Sequence, residues 1–350
     1  MTKINIGFFA PQPQSMDYGG FDMQMNKIGS IIAQNPDIDV NYVNYWNRDL
    51  RLDVGHFWGS EPTHISALKL CKRSGIKTVM NVLFNNDMSQ KKYLLDVLKR
   101  LIKKIAQFLC TKAFYARLFL QAYDLADLII VLNENQRTIA VRNYGIAEEK
   151  VKIVPVALDK VFFQKSESLP ISKIGHKGYA LCLGTISERK NQLTALNACI
   201  KTNMPIVFIG TSSSETNTYE NHFMHLCMKY SDLVTYKKNV HITEVAIHIS
   251  ECAFLLCLSY QETEPAVLME AMLFGKAIVV SNKPFVDNPI FEGVIKVDIN
   301  NEESIIKAIS IARSKDYQDY SRFNKENYTE NTAMKNYLSI YEELIGDHVK

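Results

Sequence analysis

The sequence predicts an α/β protein made of two doubly wound parallel-sheet domains facing a cleft. Three observations carry this expectation. Short apolar, β-rich runs alternate with longer helical patterns, as in parallel strands joined by crossover helices. The alternation occurs twice, and between residues 156 and 178 the chain changes character: KSESLP and SKIGHKG have little periodicity and predict a linker. The 350 residues are long for one core and comfortable for two.

The elements follow in order. Ile4–Phe9 is the first expected strand, Gly19 and Gly20 lie in the loop after it, and Asp22–Gln34 is a helix. Val40–Trp46, Val54–Trp58, Thr78–Phe84, Leu128–Leu132 and Val151–Val156 complete the strands of a domain over 1–160. A linker is expected over 161–177. The second set begins with strand Tyr179–Leu183 and a helix from Asn191. It continues with strand Pro205–Ile209, helix Asn217–Tyr230, strand Phe254–Leu258, helix Pro265–Phe274 and strand Ala277–Val280, giving a domain over 178–330. In such sheets ligands bind beyond the carboxyl ends of the strands.

Composition excludes several classes. A net charge of +3 is too small for a nucleic-acid binder. No apolar run approaches the ~20 residues that span a bilayer, and the first residues carry no signal-peptide pattern. The seven cysteines are an odd number without zinc-like pairing, as expected for buried, reduced thiols in a cytoplasmic protein.

One stretch carries chemistry. Residues 261–281 read QETEPAVLMEAMLFGKAIVVS. Phe254–Leu258 is a continuous apolar run that suits a strand buried on both faces. A polar loop with Glu262 and Thr263 follows, Pro265 suits the first helical position, and Gly275 suits the helix end. Glu262 then lies at the strand's carboxyl end and Glu270 between one and two turns into the helix, at ~1.5 Å rise per residue. The helix start offers free N–H groups at Ala266 and Val267 and the positive end of a dipole, which suit a phosphate. Carboxylates accept hydrogen bonds from hydroxyls. A diphosphate at the helix start would leave one acid for a ribose and one for a sugar.

This stretch resembles the E-x7-E segment of retaining GT-B glycosyltransferases of family 4, the glycosyl transferases group 1. Other segments agree in order. Gly19-Gly20-Phe21 is similar to the family's N-terminal glycine loop, and residues 126–163 resemble the passage before its linker. LGTISERKN (183–191) resembles its phosphate loop, and FIGTSS (208–213) resembles a strand end. NYLSIYEELI (336–345) resembles its closing helix, so residues 331–350 are expected to return to the N-terminal domain. The resemblance implies a GT-B fold of two Rossmann-like domains, the N-terminal one for the acceptor and the C-terminal one for a nucleotide-sugar donor.

It also implies roles. Arg189 and Lys190 would hold the donor diphosphate, where fixed cations stabilise the charge that grows as the glycosidic bond breaks. Gly19 and Gly20 would let the backbone approach that phosphate, since neither carries a Cβ. Thr185, Thr263, Ala266 and Val267 would line the donor site, Glu270 would bind the ribose hydroxyls, and Glu262 would face the reacting sugar as the catalytic carboxylate. The reaction would retain anomeric stereochemistry, with the leaving phosphate taking the acceptor's proton. No metal and no cofactor are expected.

The chain also departs from the family pattern. Thr263 and Pro265 replace glycines, Ala157 replaces the glycine of the hinge motif, and Thr185 stands where many members have Arg. The N-terminal domain's histidine is missing from TVMNVLFNNDMS (78–89), where Asn81, Asn85, Asn86 or Asp87 could replace it. His56 is a weaker candidate. His222 and His225 share a helix face but are not expected to hold a metal.

Residues 91–117 form a basic amphipathic pattern in the acceptor domain, with Lys99, Arg100, Lys103 and Lys104 interleaved with leucines and isoleucines. The expected protein is thus a cytoplasmic enzyme, peripheral on the inner face of the inner membrane. It would transfer a sugar to a lipid-linked or polysaccharide acceptor in bacterial surface glycan synthesis. The competing expectation, fed by the departures above, is an inactive paralogue that stabilises a partner transferase.

Overall fold

The computed structural model describes residues 3–12, 20–84, 94, 98, 111–168, 178–211, 218–315 and 317–346. The chain divides into two compact units. Unit 1 is Met1–Ala157 together with Glu326–Lys350, and unit 2 is Leu158–Lys325.

Unit 1 runs β1 (Ile4–Phe9), α1 (Gly20–Ile32), β2 (Ile38–Tyr42), β3 (Val54–Trp58), α2 (Ile65–Arg73), β4 (Lys77–Asn81), α3 (Thr111–Leu125), β5 (Leu128–Val131), α4 (Glu134–Tyr144) and β6 (Val151–Ile153). The last helix of the chain, α11 (Glu330–Gly346), belongs to this unit. The strands form one parallel sheet in the order β2-β1-β3-β4-β5-β6. Its order reverses direction between β1 and β3, the topological switch point at which such sheets take ligands. Ile6, Phe8, Val54 and Trp58 pack on one face with α1 and with Tyr337, Ile340, Tyr341 and Leu344 of α11. Phe57, Met80 and Ile129 pack on the other with Leu68 and Tyr123.

Unit 2 runs α5 (Lys160–Ser168), β7 (Ala180–Leu183), α6 (Gln192–Lys201), β8 (Ile206–Ile209), α7 (Thr218–Lys229) and β9 (Val234–Lys237). It continues with α8 (Ile242–Glu251), β10 (Phe254–Cys257), α9 (Ala266–Leu273), β11 (Ala277–Ser281), β12 (Ile295–Val297) and α10 (Glu302–Arg313). The sheet is parallel, in the order β12-β11-β10-β7-β8-β9. Numbered within the unit, this is the 3-2-1-4-5-6 order of a dinucleotide-binding sheet, with its switch point between β7 and β10.

Several expectations are corrected, among them the strands expected over Thr78–Phe84 and Val151–Val156, which end at Asn81 and Ile153. The strand expected over Val40–Trp46 ends at Tyr42. Asn44 Oδ1 accepts the Trp46 amide at 3.0 Å and turns the chain out, so Tyr45 and Trp46 are exposed. Residues 161–168 of the expected linker are helical, with Phe162 buried. Pro265 is the N-cap of α9 instead of its first helical residue. The edge strands β9 and β12 were not expected, because half-buried strands of three or four residues leave no continuous apolar run.

Candidate functional site

The loop after β7 and the loop after β10 meet at the switch point of unit 2. Gly184 leaves β7 with φ +132°, a conformation that L side chains rarely adopt. Its carbonyl lies where a Cβ on Gly210 would have to sit, so the ends of β7 and β8 approach through two glycines. The loop is pinned by side chains. Gln192 Nε2 donates to the Thr185 carbonyl at 2.9 Å, and the Ser187 amide donates to Gln192 Oε1 at 3.3 Å. Asn191, at φ 56°, donates from Nδ2 to the Leu258 carbonyl at 3.1 Å and ties this loop to the end of β10. The Tyr260 amide donates to the Arg189 carbonyl at 2.9 Å.

These ties bring Arg189, Lys190 and Glu262 together. Lys190 Nζ lies 2.5 Å from Glu262 Oε1, and Arg189 Nη1 lies 3.2 Å from Oε2. Arg189 also donates to the Gln261 carbonyl at 2.9 Å. The Glu262 side chain is 8% exposed and that of Lys190 15%, whereas Arg189 is 53% exposed. Burial by itself would raise the Glu262 carboxyl, but the Lys190 ammonium, a hydrogen bond from Ser259 and the Arg189 guanidinium hold it below its ordinary range. The trio carries a net positive charge, and α9 begins at Ala266 shortly after Glu262 in the chain, so the chemistry of this strand end suits an anion. Glu270 is half-buried on the same helix and Thr263 half-buried in the loop. Thr185 is exposed.

Gly184 and Asn191 stand in LGTISERKN and Gly210 in FIGTSS, but sequence reasoning gave none of them, nor Gln192, a part in building this loop. A glycine directly after each of two apolar strands was the available signal. The asparagine and glutamine act through tertiary contacts, which the segment's resemblance does not show.

In unit 1, Gly20 begins α1. Gly19, Asn85, Asn86, Asp87, Lys99, Arg100, Lys103 and Lys104 lie outside the described residues. Asn81 and His56 are described, and both are buried in a network with α11. His56 Nε2 is 2.9 Å from Asn81 Oδ1, His56 Nδ1 is 2.7 Å from the Tyr341 hydroxyl, and Asn81 Nδ2 donates to the Tyr337 hydroxyl at 2.8 Å. Burial lowers the His56 pKa to about 4, so the ring is neutral near pH 7, donating from Nε2 and accepting at Nδ1. The pair is part of the core of unit 1. His222 and His225 lie on α7, and among the described residues no three His, Cys, Asp or Glu side chains gather as for a metal. The six described cysteines are buried and unpaired. No described helix is long and apolar enough to cross a membrane.

The family model for glycosyl transferases group 1 matches residues 164–330, nearly the span of unit 2. Unit 2 is a glycosyl transferases group 1 domain. Both units together have the GT-B fold, each a Rossmann-like sheet. The chain is similar to the sucrose-phosphate synthase of Thermosynechococcus elongatus, with a TM-score of 0.69, 13% identity, and 99% of this chain and 100% of that one covered. It is similar to Anabaena HepE, solved in complex with UDP, with a TM-score of 0.66, 12% identity, and coverage of 98% and 100%. It is also similar to WaaG, a glycosyltransferase involved in lipopolysaccharide biosynthesis, with a TM-score of 0.60, 13% identity, and coverage of 98% and 100%. No curated protein matches the sequence. At such identities the structural likeness establishes the fold. The group 1 assignment of unit 2 rests on the family model.

Proposed function

We propose that the protein is a retaining, metal-independent glycosyltransferase. It moves a sugar from a nucleotide-sugar donor to a lipid-linked or polysaccharide acceptor in bacterial surface glycan synthesis. The observation that carries the reading is the Arg189–Lys190–Glu262 trio at the switch point of a group 1 domain. A donor diphosphate arriving beside it would compete with Glu262 for the half-exposed Arg189. It would be held by Arg189, Lys190 and the amides of Ala266 and Val267, and Glu262, released from Arg189, would turn to the sugar. Gly19 and Gly20 would approach the phosphate, Thr185 and Thr263 would line the donor site, and Glu270 would accept hydrogen bonds from the ribose. As the leaving phosphate gains charge, the two fixed cations stabilise it.

The acceptor side rests on the basic amphipathic pattern of 91–117. Two of its apolar residues, Leu94 and Leu98, are helical and exposed, a spacing that places both on one face. A lipid surface on the cytoplasmic face of the inner membrane suits such a face. HepE was solved with UDP and WaaG acts in lipopolysaccharide synthesis, so UDP-sugars and lipopolysaccharide precursors head the trial substrates.

The test is nucleoside diphosphate release from UDP-, GDP- and ADP-sugars, with and without bacterial lipid extract and with EDTA present. The expected result is release from one donor by the wild type and a loss of about a hundredfold or more in Glu262→Gln. No release and no nucleotide binding would sink the reading. The partner-stabilising paralogue would then be the better account, as Thr263 and Pro265 in place of glycines already suggest.

A further inference from the structure

Unit 1 has its own switch point, between β1 and β3, and the loop after β3 is built as a site. Gly59 leaves the strand with φ +91°, and a Cβ there would collide with Glu61 Oε2, so the glycine makes room for the carboxylate. The loop around it is fixed on all sides. The Gly59 amide donates to the Asn81 carbonyl at 2.9 Å, and the Tyr123 hydroxyl donates to Ser60 Oγ at 3.1 Å. The His64 amide donates to the Glu61 carbonyl at 3.0 Å. His64 Nε2 lies 3.0 Å from the Trp58 carbonyl, and Thr63 Oγ1 donates to the Pro11 carbonyl at 3.3 Å, which joins this loop to the one after β1.

Two polar atoms of this segment are left without partners. Among the described residues, the buried side-chain nitrogens and oxygens lacking a hydrogen bond are Trp58 Nε1 and Glu61 Oε2. Trp58 is 1% exposed. Buried polar groups in folded proteins are nearly always satisfied, and an exception calls for a ligand or a bound water. Here a donor and an acceptor are both orphaned within four residues, at the strand end where an open parallel sheet takes its ligand. A hydroxyl both donates and accepts, and a polyhydroxylated ring offers several. Burial also raises the Glu61 carboxyl above its ordinary range, which strengthens it as an acceptor of a hydroxyl proton.

We propose that Glu61 accepts a hydrogen bond from a sugar hydroxyl at the switch point of unit 1. The sugar belongs either to the acceptor glycan or to the donor. This deepens the transferase reading and rests on it only for the choice of sugars.

The experiment uses the full chain as wild type, Glu61→Gln and Glu61→Ala. Affinities are measured by ligand-observed NMR for a set of methyl hexopyranosides, and by calorimetry for nucleoside diphosphates and their sugars. Loss of one hydrogen bond to a charged group predicts a weakening of about tenfold or more for at least one sugar ligand. Affinity for the bare nucleotide should be unchanged, and Tm unchanged or higher, because Glu61 Oε2 is a buried acceptor with no partner. Weaker binding of methyl glycosides assigns the hydroxyl to the acceptor. Weaker binding of the nucleotide sugar alone assigns it to the donor. Equal sugar affinities in all three proteins would overturn the proposal, as would a wild type that binds no sugar in either form. So would a fall in Tm with sugar binding intact, which marks Glu61 as the anchor of a structural water. Failure to bind any nucleotide while glycoside binding depends on Glu61 would sink the transferase reading and leave this one standing.

Discussion

Glu262 concentrates the chemistry of unit 2 in one side chain. Its carboxylate is buried and held between two cations, so removing its charge leaves Lys190 and Arg189 without their partner. Glu262→Gln should lower stability by about 1–3 kcal/mol, less than for a fully buried pair because Arg189 stays half exposed, which urea unfolding would measure. The pH dependence has a definite sign. The folded carboxyl lies below its ordinary range, so its stabilisation is present above that range and disappears as pH falls through the folded value. His56 works in the same direction at higher pH. The unfolded chain takes up its proton below about 6.5, while the buried ring stays neutral down to about 4. Unit 1 should therefore lose on the order of 3 kcal/mol between pH 7 and pH 4 through this residue. His56→Asn should flatten that part of the profile. A variant with the wild-type slope would show that other groups set the acid limit.

At the scale of elements, strand ends decide where chemistry can sit. The loop between β7 and α6 holds its shape because Gly184 and Gly210 let two backbones touch and because Asn191 reaches across to β10. Gly210→Ala keeps the backbone within an allowed region but forces a methyl group into the Gly184 carbonyl. It should cost about 1–3 kcal/mol and weaken nucleotide binding through displacement of Arg189 and Lys190, read by calorimetry beside urea unfolding. In unit 1 a comparable part is played by Gln136. Its side chain exchanges two hydrogen bonds with the backbone of Phe84, at 2.6 and 2.8 Å, and so holds the chain beyond β4. The central strands of both sheets could be read in the sequence because burial on both faces leaves a continuous apolar run. The edge strands β9 and β12, and the early end of β2, could not. There the outcome depended on partial burial and on a single asparagine turn.

At the scale of the whole molecule, the chain closes on itself. Residues 326–346 are remote in sequence from β1, β3 and β4, yet α11 completes the core that these strands share. Tyr341 and Tyr337 supply hydroxyls to His56 and Asn81, and Ala333, Ile340 and Leu344 add apolar contact. Deleting residues 326–350 should unfold unit 1 and leave the core of unit 2 intact. The two tryptophans, Trp46 and Trp58, both lie in unit 1, so their fluorescence follows that unit alone. The truncated chain should show unfolded-type tryptophan emission while circular dichroism still records a cooperative transition. Native emission from the truncated chain would show that unit 1 does not need α11.

The sequence by itself determined the doubly wound architecture, because strand and helix periodicities are local and repeat along each half. It also determined the order of the segments that resemble the group 1 family, including the two glutamates and the basic pair. The tertiary structure alone decided which charges meet. Arg189 and Lys190 stand more than seventy residues from Glu262 in the chain and come together only where β7 and β10 lie side by side. It alone made His56 and Asn81 core residues, by supplying two tyrosines from the far end of the chain. It alone left Glu61 Oε2 and Trp58 Nε1 without partners, since a polar atom's satisfaction is a property of everything folded around it and of no residue taken singly.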